Sequence, residues 1–529
     1  MGDANTVLDA ASARHLLRRT GFGAKPEDVQ KILDGAMTRG QAADVLLAFK
    51  GKKFKPGGKY IEDAHNKWVK YMIKTKLAFQ EKLVLFWHDH FATSNAKVEN
   101  VKNMGRQIRL LHVMCRGSFK DFVKAINRDA AIIEFLDTTR NHKDIPNENY
   151  GRELQELFTL GVRDFKGNPN YRQQDIVQIA RAFTGWDYEY NSGNSVFHDY
   201  DHDTNAEFSS TRGPKVIYQK IPRFPGDPNP PTPPGGFGDA GRAFDTNGEG
   251  EIEIDTVIDI IFDHKDSDGK STVARRTARR LLEYFAHPIP DPISAADVAV
   301  VDQVVTDSGF DANWDIGGLV KKILVNDAFY ATAAVPPFTA TTQKSVKWPI
   351  DYVVTTMRLL HVKLKSKYQY VAGGDYAGIR DLLSNMGQTL LEPPSVFGWD
   401  WEGAWLSSAT LLARYDFARD VTSARDGGST SFRPETFAVT VNNADVQLIS
   451  LTDPDEIITA VTDILGVTDQ LSALERNALY DYLTDNGAHT TLDLTGAQGD
   501  PNDDGYYVRN RKLHGLFALV LQSPAYQLH

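Results

Sequence analysis

The longest regular apolar pattern in this chain spans residues 67–91, and it constrains the fold class more than any other feature. Apolar side chains recur there at roughly the helical period, at Trp68, Met72, Leu77, Leu83, Leu85 and Phe86. A stripe with this spacing marks one face of an amphipathic helix, which must pack against other elements of the protein. We therefore predict a long helix over residues 67–91.

Shorter patterns of the same kind predict helices over 9–19, 149–160, 171–186, 252–262 and 272–286. Polar and aromatic residues alternate from Asp187 to Phe197, which predicts a short β-hairpin. Thr436–Thr440 resembles a strand, and two further helices are expected after residue 454. The predicted fold is therefore mainly α: a large multi-helix single body with minor β-hairpin content.

The amino-acid composition of the chain changes between its two helical halves. Pro222–Gly241 is rich in Pro and Gly and cannot hold a helix, so we predict an exposed insertion or lid beside the functional site. This change in composition divides the chain into four predicted regions. It comprises an N-terminal helical region carrying the site (1–190), a loop and hairpin insertion (191–250), a second helical region completing the same body (251–425) and a smaller C-terminal helical region (426–529).

Composition excludes several classes of protein. The 529 residues are 41% hydrophobic and 24% charged, as in ordinary globular proteins. A net charge of −10 argues against a nucleic-acid partner, which requires a basic face. No apolar run reaches the roughly 18 residues of a membrane helix, and Met1–Asn5 lacks the basic start and apolar core of a signal peptide. The single cysteine, Cys115, lies in an apolar run and is expected to be a buried, inert thiol.

Two imidazoles stand in the aromatic segment 86–94, FWHDHFATS. Imidazole is the commonest metal ligand in proteins, and His88 and His90 are therefore candidate ligands of a divalent transition metal. They lie roughly 200° apart around a continuous helix, so they can share an ion only if the helix ends or bends there. A third ligand is needed, and His202, in a segment rich in His and Asp, is the candidate. The alternative is that these are buried histidines held by hydrogen bonds.

A second polar cluster occupies residues 146–158, PNENYGRELQELF. Glu153 is the candidate acid or base, because burial among aromatic groups would raise the pKa of its carboxyl. Arg152 is the candidate anchor for an anionic group, and Asn149 is placed to aim a short polar group at a ligand. Since Glu148 and Arg152 are four residues apart, the alternative is a surface salt-bridge ladder.

Two segments resemble the start of a calcium-binding loop. Asp500, Asn502 and Asp504 supply oxygen ligands at alternate positions with Gly505 sixth, although Arg511 stands where the closing glutamate should be. The segment 245–250 repeats the pattern. We expect structural calcium at the first loop, with an acidic turn as the alternative.

Ordered motifs run through the chain: ARHLLRRTGFG at 13–23, FWHDHFATS at 86–94, PNENYGRELQELFTLGV at 146–162, AFTGW at 182–186, GQ at 387–388 leading to PPSVFGW at 393–399, and LQSPAYQ at 521–527. In this order and spacing the chain resembles the bacterial family catalogued as domain of unknown function 1800. The resemblance implies an exported protein, periplasmic or secreted, often encoded beside a sulfatase-like partner. It implies no particular chemistry.

Three functions are compatible with these features. The first is an exported metal-dependent enzyme acting on an extracellular polymer or peptide, most simply by hydrolysis, in which the metal activates water and Glu153 transfers the proton. The second is an oxidoreductase in which His88 or His90 ligates haem or other iron. The third is a non-enzymatic scaffold or export partner of the sulfatase-like protein. Trp186, Trp399, Trp401 and Trp405 could line a sugar or peptide groove, or could be core residues.

Overall fold

The computed structural model describes residues 3–51, 54–204, 213–222, 227, 230–244, 249–331, 344–362, 364, 369–372, 375–423, 432–441, 444–495 and 508–529. Helices dominate this part of the chain, accompanied by four two-stranded antiparallel sheets. The prediction of a mainly α protein with minor hairpin content is confirmed. None of the helices in the described ranges combines the length and apolarity needed to span a bilayer.

The first part of the chain forms eleven α-helices within the described residues: α1 (Ala10–Thr20), α2 (Pro26–Asp34), α3 (Arg39–Leu47), α4 (Ile61–Lys74), α5 (Ala78–His90), α6 (Asn95–Val98), α7 (Val101–Met114), α8 (Phe119–Ile126), α9 (Ala130–Phe135), α10 (Asn149–Glu153) and α11 (Gln173–Ala182). Two hairpins follow, β1 (Trp186–Tyr188) with β2 (Ser195–Phe197), and β3 (Val216–Ile217) with β4 (Arg242–Ala243). The first of these confirms the β-hairpin that the alternating residues 187–197 predicted.

The second part continues with α12 (Gly250–Phe262), α13 (Thr272–Phe285), α14 (Ala295–Ser308), α15 (Phe310–Asn313), α16 (Ile316–Val325), α17 (Asp327–Tyr330) and α18 (Pro349–Leu359). The hairpin β5 (Gln369–Ala372) with β6 (Asp375–Gly378) leads to α19 (Ile379–Asn385) and α20 (Ser408–Thr422). After β7 (Ala438–Val441) and β8 (Ala444–Gln447) come α21 (Pro454–Ile464), α22 (Ala473–Thr484), α23 (His514–Gln522) and α24 (Pro524–Gln527).

The single helix predicted over 67–91 is wrong, because α4 and α5 are separate. Thr75 ends α4 with an extended backbone, and its hydroxyl accepts the Leu77 N–H at 3.0 Å. This local hydrogen bond competes with the helical one, as Thr side chains often do at helix ends. The apolar residues on both sides of the break, Trp68 and Met72 in α4 and Leu83 and Phe86 in α5, are all buried.

Two other predicted helices differ in detail. Residues 149–160 begin as α10 and continue as a π-helix over Leu154–Thr159, where the N–H of Leu160 reaches back to the carbonyl of Gln155. π-Helical turns are rare and often occur at functional sites. The helix predicted over 171–186 ends at Ala182, and Gly185, with a φ of 81°, turns the chain into β1.

The insertion predicted over residues 191–250 is only partly exposed. Lys215, Ile217 and Tyr218, which precede the Pro- and Gly-rich segment 222–241, are completely buried and belong to the core. Within the described part of 222–241, residues 231, 232, 236 and 238–240 are exposed. Long-range polar contacts also join the predicted regions to one another. Arg18 of α1 donates to the Gly466 carbonyl at 2.7 Å, and Arg128 pairs with Asp255 at 2.8 Å. The described chain therefore packs as one body.

Candidate functional site

Helix α5 carries the FWHDHF segment into the centre of the protein. From Phe79 to His90 every residue of the helix is buried. Lys82, Phe86 and Asp89 follow one another at helical spacings of four and three residues, so they share a face. Lys82 and Asp89 are therefore charged residues on one buried face of α5, whereas His88 and His90 lie on other faces of the helix.

Asp89 joins the FWHDHF segment to the tryptophan-rich loop around residue 400. Its Oδ1 accepts the Trp399 N–H at 2.9 Å, and its Oδ2 accepts the Trp401 indole N–H at 3.1 Å. Arg280 of α13 donates to the same Oδ2 at 3.2 Å. Burial raises the pKa of Asp89 to about 6, although Arg280 and the two tryptophan donors favour its ionised form.

Lys82 forms a buried ion pair with a residue far away in sequence. Its ammonium lies 2.6 Å from Oδ2 of Asp351 in α18, and His529 Nε2 lies 3.6 Å from that oxygen. Burial alone would raise the pKa of Asp351, but Lys82 and His529 outweigh it and hold the pKa at about 2. Within the described residues Asp351 Oδ1 has no hydrogen-bond partner. An ionised oxygen buried in this way calls for a donor from water or a ligand.

Arg19, from the ARHLLRRTGFG segment, fixes the other side of this cluster. Its guanidinium donates to the carbonyls of Phe285 at 2.6 Å and Tyr284 at 2.7 Å, and to the Ser345 hydroxyl at 3.1 Å. The two carbonyls belong to the last turn of α13, where a cation is favoured by the helix dipole. Arg19 thereby holds α13 against the segment that leads to Asp351.

Glu402 stands at the entrance to the cluster in an uncommon backbone conformation. Its φ is 55°, a left-handed value that few non-glycine residues adopt and that is concentrated at functional sites. The Val346 N–H donates to its Oε2 at 2.8 Å. Burial raises the pKa of Glu402 to about 7, and the nearby carboxylate of Glu283 raises it further, against the lowering effect of Arg19.

Together these groups line a small pocket. Its walls include the aromatic rings of Tyr284, Trp348 and Trp401, with Trp348 and Trp401 at a centroid distance of 5.5 Å. The ionisable residues that line it are Arg19, Lys82, Glu283, Asp351, Glu402 and His529. Its free space of about 10 Å³ corresponds to roughly one water molecule. The pocket is therefore a polar, water-sized chamber whose outer wall carries the half-buried Trp401 and Glu402.

The histidines predicted to bind a metal are each engaged elsewhere. His88 Nε2 accepts the Leu391 N–H at 3.0 Å, and its ring packs between Trp68 and Trp399. His90 Nε2 lies 3.1 Å from the carbonyl of Phe158, and its ring contacts the rings of Phe86, Trp87 and Phe91. Burial lowers the pKa of His88 to about 3 and that of His90 well below its usual range, so both rings are neutral. Because α5 continues through His90, the two rings do not face a common ion.

His202 belongs to a different buried cluster. Its Nδ1 lies 3.0 Å from the carbonyl of Thr184, and its Nε2 lies 3.2 Å from the ammonium of Lys215. Lys215 also donates to both oxygens of Glu253, at 2.9 and 2.7 Å. These contacts use both nitrogens of His202 within the protein. His88, His90 and His202 therefore do not face one shared metal ion.

The candidate site residues of the second cluster, Asn149, Arg152 and Glu153, are exposed or half-buried. Arg152 donates to Glu148 at 3.2 Å and to Gln173 at 3.2 Å, which is the salt-bridge ladder considered as the alternative. Asn149 is exposed. Glu153 is half-buried, and burial together with Glu156 raises its pKa while Arg152 opposes the shift. None of the three residues lines the pocket at Asp351.

The predicted calcium ligands Asp500, Asn502 and Asp504 lie outside the described residues, as does the segment 245–248. Across the part of the chain that the structure describes, no three His, Cys, Asp or Glu side chains are grouped so as to hold a metal ion. Cys115 is buried, as expected from its apolar surroundings, and burial raises the pKa of its thiol to about 12.

The fold and this cluster define a large helical protein built around buried ion pairs. A comparison with protein families matches residues 15–528 to the family described as "Protein of unknown function (DUF1800)". The match covers nearly the whole chain, and the protein belongs to this family, as the ordered motifs indicated. Comparisons with curated proteins and with solved structures return no match.

Sequence reasoning missed the residues that line the pocket. Lys82, and Asp89, which holds the pocket residue Trp401, were visible as charges within an apolar helix. A charge that is forced into a core must be paired. Glu402 was visible as the one carboxylate between Trp401 and Trp405. Asp351 had no comparable local signal, because its partner Lys82 lies far away in sequence.

Proposed function

We propose that this protein is a hydrolase that cleaves glycosidic bonds of an extracellular polymer, with Glu402 as general acid and Asp351 as general base. One observation carries the proposal: two carboxyl groups line the same pocket, and their environments push their pKa values apart, to about 7 and about 2. Pairs of carboxyl groups with separated pKa values characterise acid–base sites.

The base side of the pair is supported by Lys82. Its ammonium keeps Asp351 ionised but occupies only Oδ2, and Oδ1 is left without a donor among the described residues. The free space of the pocket suits a single water molecule. A water bound there would donate to Asp351 Oδ1, which orients it for attack.

The acid side is supported by the surroundings of Glu402. A carboxyl with a pKa of about 7 is still half protonated at neutral pH, so it can donate a proton to a leaving oxygen. The Val346 N–H and the left-handed backbone fix the side chain at the pocket entrance. The group is therefore positioned before substrate arrives.

The aromatic residues at the entrance favour a sugar over a peptide as the bound group. Trp401 is half-buried, and the Arg280 guanidinium stacks on it at 4.4 Å from the ring centroid. The outer wall of the pocket thus offers a flat apolar surface beside a cation. Such a surface suits the C–H face of a sugar ring, with Arg280 placed to receive an anionic substituent.

The proposed reaction consumes one water molecule for each glycosidic bond that is broken. As the bond between the sugar carbon and the leaving oxygen breaks, Glu402 gives its proton to that oxygen. Water forms the new bond to the carbon and gives a proton to Asp351. Asp351 then releases the proton to solvent and Glu402 takes one up, which restores the starting state. No step requires the three histidines, whose contacts do not fit a shared metal.

The test is an assay of the purified protein against neutral, carboxylated and sulfated polysaccharides, with release of reducing ends as the readout. We expect Glu402→Gln to lower turnover at least about 10²-fold, which is typical for loss of a general acid. The exposed Glu62→Gln variant is the matched control and should retain activity. A metal chelator should leave the activity unchanged.

Asp351→Asn should also abolish turnover, although it leaves the Lys82 charge unpaired and so lowers stability. Glu402→Gln avoids that ambiguity, because removal of a buried carboxyl should not weaken folding at neutral pH. Full activity in folded Glu402→Gln protein would overturn the proposal, as would loss of activity with the chelator. Absence of turnover on every polymer class would leave the cluster as a structural tie and would favour the scaffold function.

A further inference from the structure

We infer a second site, independent of the proposed hydrolase: the cavity between α1, α2, α3 and the start of α5 binds a single-chain anionic amphiphile of the fatty-acid type. The cavity has a volume of about 490 Å³, within the range of roughly 300–1,000 Å³ found for small-molecule sites. It shares no lining residue with the pocket at Asp351.

The walls of this cavity are apolar and come from four separate helices and their connections. The principal wall residues are Leu17, Phe22, Ile32, Leu46, Phe49 and Phe79. Most of its exposed lining is carbon, which favours an alkyl chain over a sugar or nucleotide. The site therefore has a place for an apolar tail.

The rim of the same cavity is positively charged. Its charged lining residues in the described chain are Lys25, Lys31, Lys76, Arg358 and Asp28. Lys31 pairs with Asp28 at 2.7 Å, and Lys25 lies 3.7 Å from Glu27. Two cations remain, Lys76 and Arg358. Within the described residues neither lies within 4 Å of a carboxylate, and Asp28, which is already paired with Lys31, attracts Arg358 only from a longer distance. This imbalance matches an anionic head group.

Of the two cations, Arg358 gives the stronger indication of where the anionic head group binds, because its side chain is held in place. Its Nη1 donates to three carbonyls that end α4, those of Met72 at 2.8 Å, Ile73 at 3.1 Å and Thr75 at 2.9 Å. Its Nε is buried and has no partner among the described residues. A guanidinium that contacts only neutral carbonyls gains from a nearby carboxylate, since charge-assisted hydrogen bonds are the stronger kind.

The two features together select the ligand class. A small anion such as acetate would satisfy the cations but leave the apolar walls empty, and a neutral alcohol would fill the walls but leave the cations unpaired. Only a molecule with both parts uses the whole cavity. A carboxylate with a long alkyl chain is the simplest such molecule.

The experiment is displacement of a dansyl-labelled undecanoic acid from the full chain, followed by dansyl fluorescence. We expect saturable binding at one site per chain, with dodecanoate as an effective competitor. Dodecanol should compete about tenfold less well, a difference of about 1.4 kcal/mol for the missing charge. Acetate should not compete at all.

Two variants test the placement of the ligand. Leu17→Trp puts a large ring into the cavity and should abolish binding, and Lys76→Glu reverses a rim charge and should weaken binding about tenfold. Lys102→Glu makes the same charge change at an exposed position of α7 outside the cavity, and it should bind normally. Thermal unfolding of each variant, followed by circular dichroism, establishes that it is folded.

Binding that persists unchanged in folded Leu17→Trp protein would overturn the assignment of the cavity. Equal affinity in Lys76→Glu and Lys102→Glu, or equal competition by dodecanol and dodecanoate, would overturn the anionic head group. Absence of saturable binding to the wild-type chain would overturn the site as a whole. None of these results bears on Glu402 or Asp351, so the two proposals fail separately.

Discussion

Asp89 accepts the indole N–H of Trp401, and this hydrogen bond of 3.1 Å joins two segments that lie 312 residues apart. The same carboxylate accepts the Trp399 N–H and faces Arg280, so it is the point at which α5, α13 and the loop around residue 400 meet. The wall of the pocket that carries Trp401 therefore depends on Asp89.

Asp89→Ala should lower the free energy of unfolding by roughly 2–4 kcal/mol, because it leaves two buried N–H donors and part of a guanidinium charge without an acceptor. Asp89→Asn keeps one acceptor oxygen and should cost about half as much. Urea unfolding followed by tryptophan fluorescence measures both. Equal stability of the alanine variant and the wild type would show that the loop is held by other contacts.

Gly398 is the position where this junction tolerates no side chain. Its φ is 81°, and a Cβ there would lie 2.3 Å from Oδ1 of Asp89. Gly398→Ala should therefore cost more than about 3 kcal/mol of stability. Gly167→Ala is the matched control, since its φ is 86° but no atom lies within 4 Å of the new Cβ. The control should cost only the backbone penalty, roughly 1–2 kcal/mol, and comparable losses in the two variants would contradict the steric argument.

Glu402 should make the protein less stable as the pH rises from about 4.5 to about 7. In this window Glu402 is already ionised in the unfolded chain but still protonated in the folded chain, because burial and the nearby Glu283 raise its pKa there. Folding therefore becomes less favourable with increasing pH. The effect is at most about 3 kcal/mol and is constant above pH 7. Glu402→Gln should lack it, which urea unfolding at pH 4.5, 6 and 8 would reveal. An unchanged difference between variant and wild type across this range would refute the raised pKa.

His88 should act in the opposite direction. Burial keeps its imidazole neutral down to a pKa of about 3, whereas the unfolded chain takes up a proton near pH 6.5. Stability is therefore lost as the pH falls below 6.5, by about 2 kcal/mol per such histidine at pH 5. The stability advantage of wild type over His88→Asn should shrink by that amount between pH 7.5 and pH 5. His489→Asn, at an exposed position, is the control.

Cys115 should be unreactive in the folded protein. It is only 1% exposed, and burial raises the pKa of its thiol to about 12, so almost no thiolate is present at neutral pH. A chromogenic disulfide reagent should therefore react with one thiol per chain only after unfolding in urea. Rapid reaction of the native protein would show that the surrounding helices open readily.

Periodicity predicted the helical class because the spacing of apolar residues is a local property of the sequence. It did not predict the break at Thr75, where one side-chain hydrogen bond outweighs a continuous apolar stripe. It also drew attention to His88 and His90 rather than to Lys82 and Asp89. A sequence shows which residue types stand together, but burial and hydrogen bonding decide which of them remain free for chemistry.

The partners of the site residues could not be predicted from spacing. Lys82 and Asp351 are 269 residues apart, and nothing near either one indicates the other. The exposed salt-bridge ladder of Glu148 and Arg152 was visible because its members are four residues apart on one helix. Interactions between residues close in sequence could thus be predicted. The interactions that build the pocket join distant residues and could not be predicted.

The pairing of Lys82 with Asp351 has a consequence for how the chain can be divided. A fragment ending at residue 190 would contain Lys82, Arg19 and Asp89. It would lack the ion-pair and hydrogen-bond partners of all three, which lie beyond residue 190. Two buried cations without counter-charges would oppose folding of that fragment by several kcal/mol. The amino-terminal and carboxyl-terminal halves should therefore unfold together, in one cooperative transition that protects the backbone amides of α5 and α18 from hydrogen exchange to the same extent.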